Sequence, residues 1–494
     1  MKIRNLLLVL FLYVICCANW ETIGGNSQRT SFLDVVGPES KYDILWEGSL
    51  YSCAGLPILI YENKLVTTRF EETWENTPLV CHDIFTGDTL WTRELGGRNN
   101  GTSVPLGFKN NVVYASNYTG GAGKDLLYAL NAENGDIIWV NDIGIIGAYY
   151  LGCTFTDNGD FILPISNDRV ARFNHKNGDT LWTVKRLVFA TPSYCGLSIY
   201  KETAYGWELG PSNEAMIVAI DIKTGKKRYR IEIPRTGSPK PYAVGPLPVI
   251  DSDGIIYVHK SNDNLVALRD NVDSLSIIWS DTIRDGGTGK PALGPDGSIY
   301  FTNHKRIMKA DTKTGKIIDS SMIIVVDTNY DINGHYAIDA KGTVYFNPCY
   351  HQIYFAFKYD LQLNWTDSIK HISYGGPALS KHGLLAVAGA DDILRVFRPV
   401  NLQTNKSIKT NKKIPILHQC YPDYFIFKCH ITQHTKVKLV LYNVLGQQVY
   451  CAEKASVNPG YHTKRINIPS GSGQYIYKIY MGSDYFTDKI TVIK

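Results

Sequence analysis

Apolar and polar positions along most of this chain form short, strand-length runs that recur in sets of four, with a period of roughly 40–50 residues. The phrase that marks the period is a β-run, a Gly turn, and an apolar pair followed by an aromatic. Its clearest copies are LYALNAENGDIIWVNDI (127–143), VARFNHKNGDTLWTVKRL (170–187) and IVAIDIKTGKKRYRIEI (217–233). Strand-like units repeated at this spacing predict a β-propeller.

Each repeat divides into four runs. The innermost begins near Pro57, Pro105, Cys153, Pro192, Pro248, Pro291, Tyr336 and Pro377. A tight turn usually follows, as in DNG (157–159), DSDG (251–254), GPDG (294–297) and DAKG (339–342). Asp, Asn and Gly supply side-chain caps and positive φ there, so hairpin geometry accounts for them without a metal. Second runs such as IIYVH (255–259) and TVYFN (343–347) come next, then the LYAL-type third run, a second Gly turn and the outer run.

The outer runs give the count. They carry Trp46, Trp91, Trp139, Trp182, Tyr229, Trp279 and Trp365, with Asp319 in the remaining copy, and so assign six of the nine tryptophans to packing between blades. The first outer run, ILWEGSL (44–50), has no inner strands before it. The last inner strands, from Pro377 to Phe397, have no outer run after them. Joining the two fragments removes the exposed edges of an open sheet. The expected fold is all-β: an eight-bladed β-propeller over 19–399, closed by an N-terminal strand.

Composition adds boundaries. Lys2 and Arg4 precede the apolar run Leu6–Ile15 and then Cys16-Cys17-Ala18, the pattern of a signal peptide over 1–18. Export through the periplasm is expected, and no later segment suits a membrane helix. The net charge of +5 is modest, and part of it lies in Lys406, Lys409, Lys412 and Lys413 of a polar linker over 400–415. No basic face accompanies it, so no nucleic-acid partner is expected. Two readings of the later cysteines stay open: a disulfide of Cys420 with Cys429 or Cys451, or buried free thiols.

The repeats resemble the pyrroloquinoline-quinone (PQQ) propeller repeat of the quinoprotein-like superfamily, and Trp20–Arg29 (WETIGGNSQR) is similar to the start of such domains. That resemblance implies the fold. It does not select a function, because the superfamily holds both dehydrogenases and a non-enzymatic lipoprotein of the outer-membrane barrel-assembly machinery.

After Pro399 the pattern changes. VKLVLYNVLGQQV (437–449), NPGYHTKRINI (458–468), SGQYIYKIY (472–480) and KITVIK (489–494) predict a small β-sandwich over 416–494. Alternation of Val437, Leu439 and Leu441 suggests a half-buried strand. This segment resembles the C-terminal sorting domain of type IX secretion substrates in Bacteroidota. Leu441, Tyr442, Asn443 and Gly446 match in order, followed by Gly460 with His462, Gly473 with Tyr475, and Lys489, whereas the opening departs to Tyr421-Pro422-Asp423-Tyr424. The resemblance implies type IX secretion machinery as a partner and a secreted or cell-surface location. The competing reading is an ordinary adhesion-type sandwich.

Chemistry is sparse. The chain has no HExxH, GxSxG, GxxxxGK[ST] or CxxCH motif, so no catalytic residue is assigned. Quinoprotein dehydrogenases cover their quinone with a vicinal disulfide, and the only adjacent cysteines here are Cys16 and Cys17 in the leader. Neither PQQ nor calcium is therefore expected, nor any other metal.

A binding face is expected where the connections into the inner runs share an end with those between second and third runs. Tyr149, Tyr150, Tyr242, Lys290, His335 and Tyr374 fall near the axis there, with Trp74, Tyr118 and Trp207 in longer loops. Such aromatics suit sugar or peptide ligands; alternatively they plug the channel or pack the loops. The expected function is a non-enzymatic binding module for a polysaccharide, peptide or envelope protein. The alternative is an extracellular carbohydrate-active enzyme, a lyase or glycosidase, with a quinoprotein dehydrogenase or a barrel-assembly-type scaffold ranked behind it.

Overall fold

Eight antiparallel sheets of four strands, each built in chain order from the axis outwards apart from the last, make up the larger part of this computed structural model. The structure describes residues 19–492 except 53–56, 70–76, 96–101, 119–124, 145–151, 167–168, 187–195, 211–213, 234–246, 260–263, 283–289, 304, 325–333, 349–352, 369–375, 389–391, 400–415, 421–423, 432–433, 444–446, 459, 468–472 and 482–483. Two compact units divide the chain, Met1–Val400 and Asn401–Lys494. No helix occurs among the described residues.

Blade 1 runs through Leu59–Tyr61, Lys64–Thr68, Leu79–Asp83 and Thr89–Arg93. Blades 2 to 7 span 102–144, 154–185, 197–232, 249–282, 292–320 and 334–368. Blade 8 takes Ala378–Leu379, Leu385–Val387 and Asp392–Phe397 from one end of this unit and Ile44–Ser52 from the other. Trp46 pairs with Val396 and Glu47 with Arg395 across that seam. The innermost strands of blades 8 and 1 lie side by side, so the ring closes on itself. This is the propeller, closed by an N-terminal strand, that the split repeat predicts.

The core lies between blades. Leu59, Val66 and Trp91 of blade 1 pack on Phe108, Val113 and Leu130 of blade 2, and equivalent clusters fill the later junctions. At five junctions the outer-run tryptophan does two things. It donates its indole N–H to a carbonyl in the next blade's turn: Trp46 to Ile84, Trp91 to Ala132, Trp139 to His175, Trp182 to Ile222 and Trp279 to Thr312, at 2.7–3.1 Å. It also lies flat on that turn's glycine. A Cβ at Gly87, Gly135, Gly178, Gly225 or Gly315 would stand 2.6–2.8 Å from the indole, and each has φ of +72° to +77°. Only glycine satisfies both the close approach and the left-handed backbone.

The three remaining junctions break the rule together. Blade 5 has Val272 at the turn (φ 79°), and the facing residue is Tyr229, bonded to Asp270 through its hydroxyl. Blade 7 has Leu361 (φ 57°), facing a blade whose outer run carries Asp319. Blade 8 has no such turn, and the indole N–H of Trp365 finds no acceptor there.

The second unit holds two antiparallel sheets, of three and four strands. In Gly473–Met481, Tyr475, Tyr477 and Ile479 are buried while Ile476 is exposed, the alternation of a one-sided strand. Thr435–Asn443 departs from the expected alternation: Leu439, Val440 and Leu441 are all buried. It lies between two partner strands of its sheet, so its interior is covered more fully than an edge would be. Cys451 is a free, exposed thiol, which removes it as a partner for Cys420. Cys81 and Cys153 are buried thiols, each pushed up to about 12 by desolvation.

Candidate functional site

The axis is occupied by the chain's own opening segment. Residues 20–33 step round the innermost strands of blades 1 to 7 in order, bonded to each through backbone or side-chain groups. Trp20 exchanges both backbone bonds with Ile60 of blade 1, and Glu21 accepts from Phe108 N–H of blade 2. Thr22 donates to the Cys153 carbonyl, just ahead of the first strand of blade 3, and Ser27 to the carbonyl of Phe155 within it. Ser27, Gln28 and Thr30 carbonyls then accept from Ile199, Ile250 and Leu293 of blades 4, 5 and 6. Ser31 and Leu33 bracket Ile338 of blade 7. Each contact satisfies an inward-facing backbone group that a bare ring would leave at its inner edge.

Arg29 is the hub of this segment and is fully buried. A guanidinium has five N–H donors, and all are used on neutral acceptors: Nε on Leu197 O, one terminal nitrogen on Thr22 Oγ1 and Ile23 O, the other on Cys153 O and Thr154 Oγ1. Burial without a carboxylate pulls its pKa down to about 10. The sequence marks the segment only through its resemblance to the start of such domains; nothing in it shows that residues 20–33 thread the ring.

Beside it stands Lys290, just ahead of the inner strand of blade 6 and 4 % exposed. Among the described residues its Nζ has no hydrogen-bond partner. A Cβ on Gly24 would come within 2.7 Å of that nitrogen, so the ammonium lies directly on the opening segment. Desolvation, and then the charge of Arg29, pull Lys290 down to about 7. Ile23 and Leu247 pack as a small apolar cluster. His335, from blade 7, packs against Gly376 of blade 8, where a Cβ would collide with its own.

Of the other expected binding residues, Trp207 is in a different place. It is fully buried in the core between blades 4 and 5, against the cluster of Ile250, Ile256 and Val266, and is not on a rim. Its strand Thr203–Leu209 is covered on both faces, so an aromatic there fills the junction where Tyr229 replaces tryptophan. Trp74, Tyr149, Tyr150, Tyr242 and Tyr374 lie outside the described residues, and Tyr118 ends the strand Val112–Tyr118 with its side chain outside them. Among the described residues no three His, Cys, Asp or Glu side chains gather as metal ligands.

Of the sorting-motif residues, Leu441, Tyr442 and Asn443 close one strand of the four-stranded sheet, and Tyr475 pairs with Asn443 in the next. Gly460 opens the strand Gly460–Asn467, Gly473 opens Gly473–Met481, and Lys489 lies on Asp484–Val492. Gly446 lies outside the described residues.

Residues 75–321, half of the chain, match the family described as outer membrane protein assembly factor BamB. The chain belongs to that family. Curated relatives of that description come from Yersinia pestis, 23% identical over 45% of this chain and 55% of the relative, and from Moranella endobia (strain PCIT), 25% identical over 47% and 59%. The chain thus spans a little over half the length of the curated relatives it matches. Among solved structures it is similar to BamB from Moraxella catarrhalis, with a TM-score of 0.53 at 13% identity, covering 72% of this chain and 99% of that one. It is similar also to quinohemoprotein alcohol dehydrogenase from Comamonas testosteroni, with a TM-score of 0.56 at 12% identity, covering 82% and 83%. At these identities the two structures speak for the fold alone.

Proposed function

We propose that this protein is an exported, non-enzymatic propeller of the cell envelope that holds an envelope protein at its loop-rich end. The observation that carries the reading is membership of the outer membrane assembly factor family, over half of the chain. The plugged axis agrees with it: the opening segment occupies the centre of the ring, which leaves the connecting loops as the surface for a partner. Neither PQQ nor calcium is part of the proposal. The ordered match of Leu441 to Lys489 with type IX sorting domains supports delivery past the periplasm to the cell surface. In that respect the protein departs from a periplasmic assembly scaffold.

A photo-crosslinking residue placed at Tyr149 or Tyr242 tests the binding face in cells. Capture of an envelope protein at these positions, and not at exposed Tyr359 of a hairpin turn, is the expected result. Capture of polysaccharide instead, or equal capture at all three, overturns the reading. Removal of 416–494 tests delivery: the truncated propeller should fold and stay in the periplasm, and its normal arrival at the surface would sink the sorting assignment.

A further inference from the structure

An amine without a hydrogen-bond partner is costly to bury, and buried charges in folded proteins are almost always paired. Lys290 breaks that rule at the centre of the ring. Arg29, the charged group beside it, adds positive potential and offers no free donor, since all five of its N–H groups are spent. Lys290 is the reverse: three donors, none used among the described residues. Gly24 is what lets Nζ come this close to the opening segment, because a Cβ there would stand 2.7 Å from it. Ser31, whose Oγ is also buried and without a partner among the described residues, donates its N–H to the Gly24 carbonyl and so adjoins the same turn. What this arrangement lacks is a negatively charged group with acceptor oxygens.

We infer that Lys290 anchors a carboxylate of a ligand bound at the loop-rich end, with Gly24 letting the amine lie against the opening segment and Arg29 supplying long-range field. A carboxylate brings Nζ a negative charge and two acceptor oxygens, and it costs less to dehydrate than a phosphate dianion in a site closed to water. The assignment rests on the proposed binding role of that end and names the group its ligand presents to the axis.

The test is thermal unfolding of the full-length protein with sodium acetate, against acetamide and against sodium chloride at equal ionic strength. A ligand that binds the folded state alone raises the melting temperature by mass action. Acetate should raise it by about 2 °C or more over both controls. Lys290→Met and Lys290→Gln should both fold and lose that difference. No acetate effect in the natural protein, or an equal effect in both variants, overturns the site. The crosslinking outcome is separate. Capture of an envelope protein without an acetate effect removes the anchor and keeps the face, whereas an acetate effect without capture keeps the anchor and removes the partner.

Discussion

Trp182 of blade 3 lies flat on Gly225 of blade 4 and bonds the carbonyl of Ile222 in the same turn, at 2.8 Å. The pair is one fastening in a series of five, and it couples an aromatic in one repeat to a backbone conformation in the next. Substituting Gly225→Ala meets two penalties: a side chain at φ +72° and a Cβ 2.7 Å from the indole. The expected loss is about 2–4 kcal/mol. Gly297→Ala is the control, with φ +75° but nothing nearer than Thr312 Oγ1 at 3.8 Å, and should lose about 1 kcal/mol. Chemical denaturation of both variants checks this, and equal losses would show that packing on the indole contributes nothing.

Val272 occupies the glycine position of blade 5, at φ 79° and 81 % exposed. A β-branched residue is strained there and gains nothing from burial. Val272→Gly should therefore stabilise the propeller by about 1 kcal/mol, the relief of strain less the entropy that glycine adds to the unfolded chain. A melting temperature at or below that of the natural protein would refute it.

Trp207→Ala should cost about 3–5 kcal/mol, because it empties a closed junction between two blades. Trp139, half-buried, should cost less. Urea midpoints rank the two. The opposite order would return Trp207 to the binding rim.

Lys290 gives stability a pH signature. Its folded pKa of about 7 lies below its ordinary 10.5, through burial and the neighbouring Arg29. Between those values the unfolded chain holds the proton and the folded chain does not, so this residue's contribution to stability rises with pH from about 7 to 10.5. Below 7 both states are protonated and the burial cost is carried in full. Lys290→Met should thus melt higher than the natural protein at pH 6.5, with the gap narrowing as pH approaches 10. A gap that is constant with pH would mean the amine is not desolvated as described.

The repeat, its four-run grammar and the split eighth blade are legible in the sequence because they rest on local pattern: Gly turns, β-runs and one aromatic per copy. What the sequence conceals is non-local. Trp207 stands outside the outer-run series, so linear reading assigns it to a loop, and only the pairing of its strand with 215–221 places it in the core. The opening segment is equally opaque. Thr22, Ser27 and Arg29 look like any polar stretch until the ring brings the inner edges of blades 3 and 4 to them. Lys290 is legible in the sequence as a residue near the axis, but its burial without a partner among the described residues depends on what surrounds it.

The path of residues 20–33 also fixes the order in which the molecule can be finished. Gly37 and Asp339 meet across 302 residues of chain, and the seam strand Ile44–Ser52 waits for Asp392–Phe397. The part of the propeller that leaves the ribosome first is therefore seated last. Such distant closure is slow to form, and until it forms blade 8 lacks its outer strand. For a chain exported as proposed, that delay is useful: with the seam strand unpaired until the eighth blade arrives, the ring cannot lock early.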